Sequence, residues 1–303
     1  MKNLSKLLGI LLLSLTASAA TAGPVIIAGT DADDHGFATG TTNMTGWLFM
    51  QKAFENIAGQ VSNGRNSIVC LGCNGSQAGA AFDSSTQNSA LSGSWTFANL
   101  TSLSDISGFF DGTGAVNIGN AGIIYMPTVE SNIIGGISDA QLALVNAQGA
   151  ALNSYLAAGG GLFTQEQANS AIGYGWLTSL LPGLIVQGDN GGPSTDTSQL
   201  TLTAAGNAAF PGLTNADASN ATPWHAWFSG NFGGLQTLIT GPIFNDAGGT
   251  FPGAVVLGGG AGTVISCGSP GQPACDVPEP DSLPLMGFGL LGMVYAMRRR
   301  FGK

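Results

Sequence analysis

The stretch PVIIAGTDADDHGF, residues 24–37, decides how this chain folds. Val25 to Ala28 form an apolar run between Pro24 and Gly29, with no polar position among them. A strand with one wet face would alternate, so an unbroken run bounded by turn residues reads as a strand buried on both faces, as in a parallel sheet. The chain then passes at once into Asp31, Asp33, Asp34 and His35. Open parallel sheets bind ligands beyond the carboxyl ends of their strands, so one segment sets a fold class and a place to look for a site.

Working outward, TGWLFMQKAFENIAGQV (45–61) puts Trp47, Leu48, Met50, Phe54, Ile57 and Val61 at near-helical spacing. NSIVCLG (66–72) and AGIIYMP (121–127) read as a second and a third strand. SDAQLALVNAQGAALNSYLAAGG (138–160) predicts one long helix, with Ser138 as N-cap, Leu142, Val145, Ala151, Leu152, Tyr155 and Leu156 on its apolar face, and Gly159 and Gly160 as its stop. GGLFTQ (160–165) reads as a fourth strand and YGWLTSLLP (174–182) as a short helix, while GLIVQG (183–188), LQTLIT (235–240) and GAVVLGGG (253–260) read as further strands. Strands alternating with helices predict an α/β fold, a parallel sheet with helices on both faces. No fixed-period repeat points to a solenoid.

The succession of strand, helix and strand, then GIIYMP, a long helix and AGGGLFTQ, resembles the class I glutamine amidotransferase-like fold, a flavodoxin-like architecture, over about residues 24–260. In the active enzymes of that family the strand matching GGLFT leads into a nucleophilic cysteine. Here Thr164, Gln165 and Glu166 occupy that region, so amidotransfer is excluded. Hydroxyl attack by Thr164 would need a neighbouring base that the sequence does not supply.

Charge separates the ends from the middle. Of the eight Lys and Arg residues only Lys52 and Arg65 lie between Lys6 and Arg298, while all seventeen acidic residues fall in 31–281, a net of −15 for that stretch. Such a surface repels phosphate backbones and argues against nucleic acid as a partner. Lys2 and Lys6, the apolar LLGILLLSL (7–15) and the small residues up to Ala22 have the order of a secretory signal peptide, handled by the Sec translocon and signal peptidase, with cleavage after Ala22.

The far end repeats the theme with different chemistry. Leu283 to Met297 are fifteen residues without a charge, a helix of about 22 Å against a hydrocarbon core of about 30 Å, and Arg298, Arg299 and Arg300 follow. A hydrophobic helix there would hold the tail in the membrane with the arginines on the cytoplasmic side. Val277, Pro278, Glu279 and Pro280, the Gly-rich apolar segment and the Arg cluster together resemble the PEP-CTERM sorting signal of exported bacterial proteins. That resemblance implies recognition of Pro278, Glu279 and Pro280 by an exosortase, a membrane-embedded cysteine protease, and delivery to the cell surface or exopolysaccharide matrix. The expected organisation is a signal peptide (1–22), an α/β extracytoplasmic domain (23–266), a disulfide-closed linker (267–276) and the sorting signal (277–303).

Four cysteines suit an oxidising compartment. Cys267 and Cys275 bracket the turn-rich GSPGQPA, which brings two Cα atoms within disulfide range. Cys70 and Cys73 form a C-x-x-C, a spacing used by short disulfides, redox pairs and half zinc sites. A c-type haem would need His where Asn74 stands, so the residues favour a structural disulfide.

Two segments invite a functional reading. Asp31, Asp33, Asp34 and His35 place three carboxylates and an imidazole within five residues, enough for a divalent cation or a sugar, or simply to cap the turn. In TPWHAWF (222–228), Trp224, Trp227 and Phe228 flank His225, as in a sugar-stacking surface or a packed core. No organic cofactor is implied. The favoured expectation is a non-enzymatic surface or matrix protein that binds polysaccharide or a divalent cation. The alternative is a secreted hydrolase in which His35, Glu130 and His225 converge.

Overall fold

The computed structural model describes residues 23–75, 77–165, 172–188, 199–219, 224–244 and 249–259. The signal peptide with Ala22, the sorting signal with Pro278, Glu279 and Pro280, the Cys267–Cys275 pair and Glu166 lie outside the described residues. No helix among the described residues is long and apolar enough to cross a membrane.

Five strands run parallel: β1 (Val25–Ala28), β4 (Ser67–Leu71), β5 (Thr96–Leu100), β6 (Ile123–Met126) and β7 (Gly161–Gln165). Their order across the sheet is β5-β4-β6-β7-β1. Burial on both faces explains why β1 and β6 look uniformly apolar, side chains alternating between the two layers. Ile26, Ile68, Cys70, Ile123, Tyr125 and Phe163 enter one core layer, and Val25, Ile27, Val69, Leu71, Ile124 and Leu162 the other.

Helices cover both layers. On the first lie α1 (Thr45–Ala58) and α2 (Ala78–Gln87), where Phe54 meets Phe82, Tyr125 and Phe163 at ring separations of 5.9, 5.3 and 5.2 Å. On the second lie α3 (Leu103–Asp111), α4 (Asp139–Asn146), α5 (Gly149–Ala157) and α6 (Gly175–Leu180). Ser138 caps α4 as expected, through a reciprocal box with Gln141. The single long helix expected over 138–160 is two, broken at Gln148. Gly149 is the reason: a Cβ there would lie 2.8 Å from the Ser179 Oγ of α6, so the close approach of α6 selects the residue that also weakens the helix.

The sheet is mixed, not wholly parallel. β12 (Thr250–Gly258) lies antiparallel to β1 and to β10 (Ala226–Gly230) along one edge, and to β11 (Gln236–Phe244) along the other. β8 (Leu184–Gly188) closes the row beside β10, and β9 (Thr201–Leu202) pairs with β11. Between β9 and β10 come α7 (Ala204–Ala209) and α8 (Asn215–Ser219), which pack on α1. A hairpin of β2 (Gly36–Thr39) and β3 (Thr42–Met44) connects the acidic segment to α1. The run β5-β4-β6-β7 repeats the 2-1-3-4 order of flavodoxin-like sheets, but the N-terminal strand β1 occupies the place where such a sheet holds its last strand.

Cys70 and Cys73 are disulfide-bonded, with Cα atoms 5.7 Å apart, at the carboxyl end of β4. The closed loop is short, so the bond removes little entropy from the unfolded chain, about 2 kcal/mol or less. Dithiothreitol is expected to lower the urea midpoint by a corresponding small step; an unchanged midpoint would show that the bond does not constrain the unfolded chain.

Candidate functional site

Beyond the carboxyl ends of β1 and β6 the buried polar side chains of Thr30, Asp31, Asp33 and Thr128 gather, beside Thr164 and Gln165 at the end of β7. Gly29 starts this arrangement. A Cβ on it would fall 1.9 Å from the Ala226 carbonyl oxygen, so only glycine lets the segment before β10 cross the end of β1. The Gly29 carbonyl then accepts from His225 N at 3.0 Å and Ala226 N at 3.1 Å, and Thr30 bridges Trp224. Those bonds carry His225 to Asp31, across 194 residues of sequence.

Asp31 is the centre. It has 0 % exposure, and its Oδ2 lies 3.3 Å from His35 Nε2, 3.3 Å from His225 Nε2 and 2.9 Å from the donating Asn132 Nδ2. Asp34 Oδ2 stands 3.4 Å from the same His35 nitrogen. Burial alone would raise the Asp31 carboxyl, but hydrogen bonds and charge from His225 and His35 hold it down to about 2. Its second oxygen, Oδ1, is buried without a hydrogen-bond partner among the described residues.

The backbone holds His35 in place. The His35 carbonyl accepts from Thr45 Oγ1 at 3.0 Å and Gly46 N at 3.4 Å, and Thr45 is the one non-glycine among the described residues with positive φ, 51°. A left-handed threonine costs on the order of 1–3 kcal/mol and persists only where its surroundings over-determine it. Burial would lower the His35 imidazole, yet the bond to Asp31 and the charges of Asp31 and Asp34 raise it above its ordinary value.

Asp33 does a different job from its neighbours. Its side chain is buried and accepts from Thr128 Oγ1 at 2.7 Å, Thr128 N at 2.9 Å and Tyr125 Oη at 3.3 Å, fastening the acidic loop to the end of β6. Burial pushes its carboxyl up to about 6 against the pull of the Thr128 bonds. Asp31, Asp34 and His35 bring ligand atoms within 4.8 Å of one another, and Asp33 is not of that group. Thr164 is buried, with its hydroxyl on the Gln165 carbonyl at 3.4 Å, and Gln165 accepts from Thr30 at 2.8 Å. Thr164 and Gln165 are thus part of the packing.

The other expected residues divide. His35 and His225 do converge, but on Asp31; Glu130 is exposed and makes no hydrogen bond or ion pair with them among the described residues. Asn132, two residues on in the same loop, is the one that reaches in. Trp224 is buried at 1 % exposure and offers no face for a sugar. Trp227 is half-buried, with its ring 5.6 Å from that of Phe251.

Residues 276–300 match the family model of the PEP-CTERM protein-sorting motif. The chain carries a PEP-CTERM sorting motif. Such a motif implies an exported protein processed at the membrane by an exosortase. No curated protein and no solved structure matches the chain, so the PEP-CTERM match covers the tail and leaves the α/β body to be read from its own geometry.

Proposed function

We propose that this PEP-CTERM protein is exported through the Sec translocon, cleaved by signal peptidase after Ala22, and delivered by exosortase processing to the cell surface or exopolysaccharide matrix. There its α/β domain, 23–266, serves a binding role, not a catalytic one. The observation that supports this reading is the convergence of His35 and His225 on the buried Asp31 beyond the strand ends. A polar cluster on an acidic, Gly-rich and cation-poor body suits polysaccharide or a divalent cation bound to it. Trp227 with Phe251 is the aromatic pair that remains for stacking on a sugar ring.

The same convergence favours one second reading, a secreted hydrolase in which Asp31 orients an imidazole base on the amidotransferase-like sheet. Matrix retention separates the two. Cells expressing the wild type and the combined His35→Ala, His225→Ala variant are fractionated into medium, matrix and envelope. A binding role predicts that the variant is exported normally and shifts from matrix to medium; equal retention of both proteins would overturn it.

A further inference from the structure

Parallel strands β1 and β7 run in register from Val25 against Leu162 to Ala28 against Gln165, and Thr30, two residues on, turns its hydroxyl onto the Gln165 side chain. We propose that Thr30 and Gln165 form an internal ester, a self-made cross-link between the Thr30 hydroxyl and the Gln165 side-chain carbonyl that ties the end of β1 to the end of β7.

The two reacting groups are already together. Thr30 Oγ1 donates to Gln165 Oε1 at 2.8 Å, so with a C=O bond of about 1.23 Å it lies within about 4 Å of the carbonyl carbon. Both residues sit at the ends of paired strands, which fixes them against each other and makes attack a step within one molecule. Both are buried, at 1 % and 0 % exposure, so water neither competes for the acyl carbon nor cleaves the product.

The amide nitrogen is the independent sign. Gln165 Nε2 is buried and completes no hydrogen bond among the described residues, although the Tyr125 hydroxyl is near enough to be influenced by that side chain. An unpaired buried donor is costly, and its departure as ammonia removes the cost. The step balances without a co-reactant. The Oγ1–Cδ bond forms as the hydroxyl proton passes to Oε1 along the existing hydrogen bond; the neutral tetrahedral carbon then collapses, the Cδ–Nε2 bond breaks, and the proton leaves on nitrogen as ammonia. Nothing is oxidised or reduced, and no charge is created inside the protein, where an unpaired charge would be expensive. Tyr125, its hydroxyl anchored on Asp33 Oδ2 at 3.3 Å, is placed to relay that proton. The bond would close 135 residues of sequence, against three for the Cys70–Cys73 disulfide, and so constrains the unfolded chain far more.

Trypsin tests the ester on the wild-type protein. Lys52 and Arg65 are the only tryptic sites between Lys6 and Arg298, so digestion of the reduced, unfolded chain separates the segment ending at Lys52 from the segment starting at Asn66 unless a bond joins them. Expected is one linked species about 17 Da lighter than its two parts, which hydroxylamine then splits. Thr30→Ser, which keeps a hydroxyl, is expected to keep the link. Thr30→Val is expected to free the two segments and to lower the urea midpoint, with the circular dichroism unchanged. Two free segments from the folded wild type, or a link that survives in Thr30→Val, would overturn the ester. The binding role is read separately, through matrix retention of the combined histidine variant, and does not depend on this result.

Discussion

Replacing Pro278, Glu279 and Pro280 with alanine is expected to leave the exported protein full-length in the membrane fraction and to empty the surface and medium fractions of it. The three residues lie inside the sorting motif at 276–300, ahead of fifteen uncharged residues and Arg298, Arg299 and Arg300. Without cleavage, fifteen uncharged residues backed by three arginines are expected to keep the chain at the membrane. The effect is all-or-none because processing is a covalent step upstream of release. Fractionation followed by intact-mass measurement reads it directly: the wild type should lack its tail outside the membrane, and the variant should keep it. A variant trimmed and released like the wild type would remove the PEP residues from recognition.

The parallel half of the fold was legible because burial on both faces writes itself into consecutive residues. Val25–Ala28, Ile123–Met126 and Gly161–Gln165 are each buried at every position, and each stands out as an apolar run. β5 did not stand out, since as the edge strand it keeps only intermediate or exposed positions. Nor did α2, whose AGAAFDSSTQ packs through small residues around Phe82. A signal for α3 was present: Ser102 and Asp105 form a capping box with the spacing that marks a helix start. Of the antiparallel strands β8, β11 and β12 could be found singly, β9 and β10 could not, and the pairing of β12 with β1 joins residues more than 200 apart, which no local pattern records.

The site was legible in the same uneven way. The local run from Asp31 to His35 was visible, and so was each histidine. What periodicity could not supply is that Gly29 lets the chain before β10 cross the end of β1 and so brings His225 to Asp31. Residues such as Asn132, Thr128 and Gln165 carry no chemistry of their own that would single them out. They matter here because a buried carboxylate takes its pKa from its donors. Asp31 and Asp33, two residues apart, are driven in opposite directions because His225 and His35 hold the first down while burial raises the second against its donors.

That opposition sets the pH dependence of stability in protein kept metal-free with EDTA. Asp33, raised to about 6, binds its proton more tightly folded than unfolded, so its contribution is complete below about pH 4 and is lost as pH rises through 6. The span of roughly two pKa units corresponds to about 3 kcal/mol. Asp34 and His35 are shifted upward too and act with the same sign. Asp31, held down to about 2, acts oppositely: its contribution is present above about pH 4 and is lost as pH falls through 2. The maximum should therefore lie near pH 4–5, not at neutrality, with urea unfolding free energies at pH 4.5 exceeding those at pH 7.5 by about 3 kcal/mol. Relief of self-repulsion in the acidic body works in the same direction, so the wild-type curve alone does not isolate Asp33. Asp33→Asn does: it keeps the shape, removes one titration, and should flatten the slope between pH 4 and 6 while leaving the acid limb governed by Asp31. A wild type most stable above pH 7, or a slope unchanged by Asp33→Asn, would mean that the three donors from Thr128 and Tyr125 outweigh burial and keep Asp33 ionised.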